Sequence, residues 1–123
     1  MDIEYLRIYC LSLPQCTEDM AFGEDLLLLR ICGKIFACIS LNGNGFVTLK
    51  CDPNYAIELR ELYPADIQPA WHWNKKYWNQ VKIDGHLKEE FIKELINHSY
   101  KEVVKKLPKA TRDSLLTSNY NKY

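Results

Sequence analysis

Three apolar segments of strand length, set apart by tight turns, constrain this chain more than any other feature. Leu26 to Ile31 is an apolar run broken only by Arg30. Cys32-Gly33-Lys34 turns the chain, and Ile35 to Leu41 returns. Asn42-Gly43-Asn44-Gly45 is the strongest turn signal present, because Asn and Gly tolerate positive φ. Phe46 to Lys50 completes the set. Connections this short join antiparallel neighbours, whereas parallel strands need long crossovers, so the segment predicts an antiparallel meander.

Helical patterns lie on both sides of it. Asp2 is placed to cap a helix reaching about Leu11, with Ile3, Leu6, Cys10 and Leu13 near helical spacing. Leu13-Pro14 ends it, because the residue before proline is pushed out of helical backbone. Met20-Ala21-Phe22 reads as a short strand. Asp52-Pro53 opens a second helix with an N-cap and a proline at the first position. Its buried face is Ala56, Leu59 and Tyr63, and Pro64 stops it. A loop containing Pro69 leads to Trp71. Tyr77 to Ile83 then alternates, with Tyr77, Asn79, Val81 and Ile83 on one face and Trp78, Gln80 and Lys82 on the other. After the Asp84-Gly85 turn, a third helix runs from about Lys88 to Lys106 on a broad apolar stripe, and Ala110 to Leu116 forms a short final helix. Strands clustered centrally with helices around them indicate an α+β fold, an antiparallel sheet packed against flanking helices. The expected organisation is a single domain over residues 1–116, with a disordered tail at 117–123.

The chain has 123 residues, 47% of them apolar and 26% charged, which suits one globular domain. No apolar run approaches the roughly 18–20 residues that span a bilayer, and Met1-Asp2-Ile3-Glu4 is acidic where an export signal is basic. Five cysteines with no C-x-x-C pair argue for reduced thiols in a cytoplasmic protein, and Cys10, Cys32 and Cys38 read as small core residues. Net charge is zero but uneven: residues 1–73 hold five Lys/Arg against ten Asp/Glu, and residues 74–123 hold eleven against six. Such asymmetry can build a basic face for a polyanion.

Most catalytic signatures are missing. The glycines of the 42–45 segment belong to a hairpin turn, not to a phosphate-binding loop between strand and helix. His72, His86 and His98 have no His or Cys partner at metal-ligand spacing. No G-x-S-x-G element occurs. A Cys–His dyad formed in space stays open. The expectation is a non-enzymatic protein with no cofactor or bound metal.

What stands out instead is Trp71-His72-Trp73-Asn74-Lys75-Lys76-Tyr77-Trp78-Asn79, where aromatics interleave with cations. Aromatic faces can stack on bases while lysines neutralise phosphates. The competing reading is a loop and strand whose tryptophans cap the edge of the core.

The order of seven segments is similar to that of MmcQ/YjbR-like proteins. They are Phe22-Gly23-Glu24, Gly33-Lys34-Ile35-Phe36-Ala37, Leu49-Lys50-Cys51-Asp52-Pro53, His72-Trp73-Asn74-Lys75-Lys76-Tyr77-Trp78, Asp84-Gly85, His98-Ser99-Tyr100 and Leu107-Pro108-Lys109. The family pattern often has His where Tyr77 stands. The resemblance implies a CyaY-like α+β fold and a DNA-binding label derived from a "double-wing" arrangement of β-hairpins. Carried onto this chain, the label points to His72, Asn74, Lys75 and Trp78; on charge, Lys76, Lys50, Lys105 and Lys109 would add phosphate contacts. DNA is the expected partner, without a membrane, and a monomer is favoured. The alternative is a small-molecule or protein-binding pocket formed by His72, Asn74, Trp78 and Tyr100. A frataxin-like iron surface would need more acid on the first helix than Asp2 and Glu4 provide.

Overall fold

The computed structural model describes residues 1–43 and 45–120, with side chains in the last helix as far as Leu115. Six strands and four helices alternate along the chain: α1 (Ile3–Leu11), β1 (Cys16–Asp19), β2 (Leu26–Ile31), β3 (Lys34–Ser40), β4 (Phe46–Lys50), α2 (Pro53–Leu62), β5 (Ile67–Pro69), β6 (Trp78–Lys82), α3 (Glu89–Val104) and α4 (Lys109–Tyr120). The strands form one antiparallel sheet in the order β1-β2-β3-β4-β6-β5. The expected α+β class and meander are both present. Asn44, in the expected 42–45 turn, lies outside the described residues, as does the 121–123 end of the expected tail.

All four helices lie on one side of this sheet. Strand residues of alternating parity, Leu27, Leu29, Ile39, Val47, Leu49, Val81 and Ile67, join Leu6 and Cys10 of α1, Ala56 and Leu59 of α2, Ile92, Leu95 and Ile96 of α3, and Leu115 of α4 in one buried cluster. A bulge between Leu29 and Arg30 lets Phe36 and Ala37, though adjacent in sequence, both join that core. Two buried hydroxyls fasten α3 to its surroundings. Ser99 Oγ accepts from Lys50 N (2.8 Å) and donates to Phe36 O (2.5 Å), while Tyr100 Oη donates to Pro14 O (2.7 Å). Asp2 caps α1 through Tyr5 N (2.7 Å), and Asp52 caps α2 through Tyr55 N (3.1 Å), as the sequence implies.

Four details differ from the sequence expectation. The strand near residue 20 is Cys16–Asp19, not Met20–Phe22. Asp19 Oδ1 accepts from Ala21 N (3.0 Å) and Gly23 N donates to Met20 O (3.0 Å), so the chain is already turning at residue 20. The segment before Trp71 contains a strand, β5, whose three residues are too few to show alternation. Cys32 is exposed, not a core residue, because it opens the β2–β3 turn with φ of 50°. The last helix begins at Lys109 and continues to Tyr120, beyond the expected Leu116.

Candidate functional site

The side of the sheet away from the helices carries the other parity of strand residues. Across it runs one row, Asp19–Leu28–Cys38–Thr48–Gln80–Gln68, each pair in register on neighbouring strands. A parallel row places Lys50 directly opposite Trp78. Leu28 and Cys38 are buried although they stand outside the main core cluster, so loops fold over this face as well.

The loop from Ala70 to Tyr77 is one of them. Trp71 N donates to Gln80 Oε1 (3.4 Å), holding the start of the loop against the helix-free face. His72 takes a left-handed backbone, φ 69°, and its ring meets Trp71 edge-on at 4.9 Å. Asn74 closes the turn: Oδ1 accepts from Lys76 N (3.0 Å), and its carbonyl accepts from Tyr77 N and Trp78 N. From the other side of the sheet, Arg60 of α2 reaches Asn79 Oδ1 through Nε (2.6 Å) and the carbonyl of Lys75 through its terminal nitrogen. Asn79, buried on the core side, also donates to Ala56 O (3.3 Å). The tract is thus tied by hydrogen bonds at both ends and at its middle.

Three rings run in contact. Trp73 and Trp78 lie 4.6 Å apart between centroids and tilted by 44°, and Phe22, from the β1–β2 loop, stands 6.2 Å from Trp73 at 52°. Phe22 is 56% exposed and Trp71 is 69% exposed. Lys75 Nζ sits 5.5 Å from the Trp71 ring and Lys76 Nζ 5.4 Å from the Tyr77 ring. Lys50, Lys75, Lys76 and Lys82 have no carboxylate at ion-pair distance among the described residues, whereas Arg30 on the same face is held by Asp19 at 2.5 Å.

Of the residues singled out from sequence, His72, Asn74, Lys75, Trp78 and Lys50 come together around this face, while the Lys76 ammonium lies over the Tyr77 ring. Lys105 and Lys109 do not. Lys105 follows α3 in the helical layer and bonds Glu102 at 2.5 Å; Lys109 opens α4 in that same layer. Tyr100 is 3% exposed, edge-on to Phe36 at 5.3 Å within the main core, and therefore on the opposite side of the sheet from Trp78. A pocket shared by His72, Asn74, Trp78 and Tyr100 is not formed. Phe22, within the first of the family segments, is the member the sequence does not mark; its adjacency to Trp73 depends on a loop folding across the sheet.

Cys51 and His98 do share the lining of a small, partly open recess with Leu49, Asn79 and Leu95, but its volume is about 10 Å3, room for one water and far below the roughly 300 Å3 of a small ligand site. Burial pushes the Cys51 thiol up to about 12, and burial pulls the His98 imidazole below its usual range. Both groups are held neutral, the reverse of a thiolate–imidazolium nucleophile. Among the described residues, no three His, Cys, Asp or Glu gather to hold a metal ion, and no helix is long and apolar enough to cross a membrane.

A small antiparallel sheet with helices on one side and an aromatic, lysine-lined opposite face defines an α+β domain of a recognised class. The YjbR family model matches residues 11–102, and the chain belongs to that family. It is 37% identical over 107 residues to the uncharacterized protein YbdF of Escherichia coli O157:H7, covering 86% of this chain and 87% of that one. It is 29% identical over 117 residues to the uncharacterized protein YjbR of Escherichia coli K12, covering 94% and 98%. A crystal structure of a Deinococcus radiodurans protein superposes with a TM-score of 0.84 at 34% identity, covering 92% of this chain and 86% of that one. A Pseudomonas syringae protein gives 0.69 at 25% identity, covering 82% and 97%.

Proposed function

We propose that this chain is a nucleic-acid-binding module, with DNA the first ligand to test, and that it binds through the helix-free face rather than through the helical layer. The observation that carries the reading is the Phe22–Trp73–Trp78 ring series with Lys50 as the cross-strand neighbour of Trp78. Rings of this kind offer stacking surfaces that accept any base, and unpaired lysines beside them offer charge for phosphates. The lysines of the tract and its cross-strand neighbour, Lys50, Lys75 and Lys76, are the candidates; Lys82 lies at the far end of β6, and Lys105 and Lys109 belong to another surface. The role is binding rather than catalysis.

Zero net charge sets the strength of the interaction. With three or four phosphate contacts, the slope of log affinity against log salt is about −2 to −4, shallow compared with strongly basic binders. Fluorescence anisotropy with labelled single-stranded and duplex DNA across a salt series tests the reading. Binding at low salt that weakens with that slope supports it. Absence of binding at low salt, or binding indifferent to salt, overturns it.

A further inference from the structure

We infer that the ligand of the helix-free face is a single strand, and that Phe22 is the residue that closes on an unpaired base. This rests on the reading above and narrows it. The β1–β2 loop springs from one edge of the sheet, and strand β2 is three strand spacings, about 14 Å, from β6. Phe22 nevertheless reaches Trp73, which in turn rests on Trp78 of β6. Two loops from opposite halves of the sheet therefore meet through aromatic rings above one face.

That arrangement suits bases whose flat faces are free. In a duplex those faces are stacked on each other, and a groove is read by a protruding helix or ribbon rather than by rings lying along a sheet. Charge argues the same way. Glu24 and Asp25, both exposed, follow Phe22 on its loop, while Lys50 stands directly opposite Trp78 and Lys75 reaches the Trp71 ring of the same loop. A single backbone can run along the lysine side with its bases turned toward Phe22. A duplex would bring its second row of phosphates against the two carboxylates.

The series also has a tight and a loose end. Trp73 and Trp78 are 4.6 Å apart, but Phe22 stands 6.2 Å from Trp73 and is 56% exposed, on a loop that contains Gly23 at φ 115°. Ring pairs near the outer limit of contact hold weakly. The Phe22 side is where a base enters, and Trp73 with Trp78 is the fixed platform it meets.

The experiment compares four labelled twelve-nucleotide probes on the full chain: oligothymidylate, the same length of abasic DNA, a mixed-sequence duplex, and oligouridylate. The expected order is oligothymidylate tighter than duplex, and tighter than the abasic strand by about 10-fold or more, since stacking contributes in the range of 5- to 100-fold per base. F22A lowers oligothymidylate affinity by about 5- to 100-fold and leaves abasic binding unchanged, while F22W restores it. Oligouridylate as tight or tighter extends the same inference to RNA. Equal binding of abasic and base-bearing strands, tighter binding of duplex, or an F22A variant equal to the parent overturns the inference while leaving the nucleic-acid reading intact. Failure of every probe at low salt removes that reading, and the inference with it. Because Phe22 is largely exposed, circular dichroism of F22A is expected to match the parent.

Discussion

Lys50 and Trp78 face each other across the β4–β6 ladder, on the side of the sheet that carries no helix. The Lys50 backbone is held from the other side, where Lys50 N donates to Ser99 Oγ of α3. The side chains can be altered without disturbing that bond. K50A is expected to weaken binding to all nucleic-acid sequences alike and to reduce the salt slope by about 1, the signature of a lost phosphate contact. W78A is expected to cost more, about 1–3 kcal/mol, and to leave the slope unchanged. Anisotropy titrations at four or five salt concentrations separate the two effects. An unchanged slope for K50A would remove Lys50 from the interface.

The clamp on the tract predicts a stability effect away from the rings. Arg60 joins Asn79 Oδ1 to the Lys75 carbonyl, and Asn79 is 2% exposed. R60M keeps the aliphatic bulk but strands a buried amide oxygen, so it is expected to destabilise the fold by about 1–3 kcal/mol. R60K is not expected to rescue it, because one ammonium cannot make both bonds with the fork geometry of a guanidinium. Urea melts measure the loss. Hydrogen exchange should show Tyr77 and Trp78 amides, both bonded to Asn74 O, opening sooner in R60M than in the parent.

Much of this molecule was legible because local signals agreed with the fold. The caps at Asp2 and Asp52, the Leu26–Lys50 meander and the alternation from Trp78 to Lys82 all formed as their residue patterns imply. The misses have one physical cause each. A three-residue strand such as β5 carries no period to read. Cys32 looked apolar by its neighbours, but the turn that follows Ile31 sets its exposure. The Trp71–Trp78 tract was visible as composition, whereas its partner Phe22 lies some fifty residues earlier and meets it only through loop folding. The late lysines failed as companions to the tract because a sheet has two faces, and charge counting along the chain cannot tell them apart.

His98 predicts a pH dependence that carboxylates cannot mimic. Its Nε2 accepts from Asp52 N (3.2 Å) and its ring lies edge-on to Tyr55 at 5.1 Å. Burial is the largest influence holding its pKa below the usual value, with Lys105 and Lys101 acting in the same direction and Glu102 and Asp52 against it. A base whose folded pKa is depressed binds protons more readily when unfolded. Its contribution is complete above the ordinary histidine value of about 6.5 and is lost as pH falls from there through the folded pKa. Urea midpoints are therefore expected to drop between pH 7 and 5, before Glu18 and Asp19, whose pKa values are lowered by Arg7 and Arg30, begin to titrate. H98Q, which keeps an acceptor without a titrating group, should flatten that part of the profile. A parent profile already flat across this range would show that His98 gains its proton without cost.

The turn that brings β6 into α3 makes a sharper stability prediction. Asp66, 7% exposed, accepts from His86 N (3.2 Å) and lies 3.3 Å from His86 Nδ1. A Cβ built on Gly85 would stand 2.0 Å from Asp66 Oδ1, far inside contact distance. The carboxylate cannot swing aside freely, since Asp66 is buried and doing so forfeits its bond to His86 N. G85A is therefore expected to destabilise the protein by about 1–3 kcal/mol, in the manner of an overpacked core. The effect belongs to a pair, so it should not add. D66A alone removes the carboxylate's bond to the His86 N–H, which exposed His86 can return to water, and costs about 0.5–1.5 kcal/mol by itself. In the D66A background, however, the atom that G85A strikes is gone, and adding G85A is expected to cost less than about 0.5 kcal/mol. A four-way cycle of urea melts measures the coupling. Additive losses would place the strain at Gly85 in its backbone, and the clash with Asp66 would then have no energetic role.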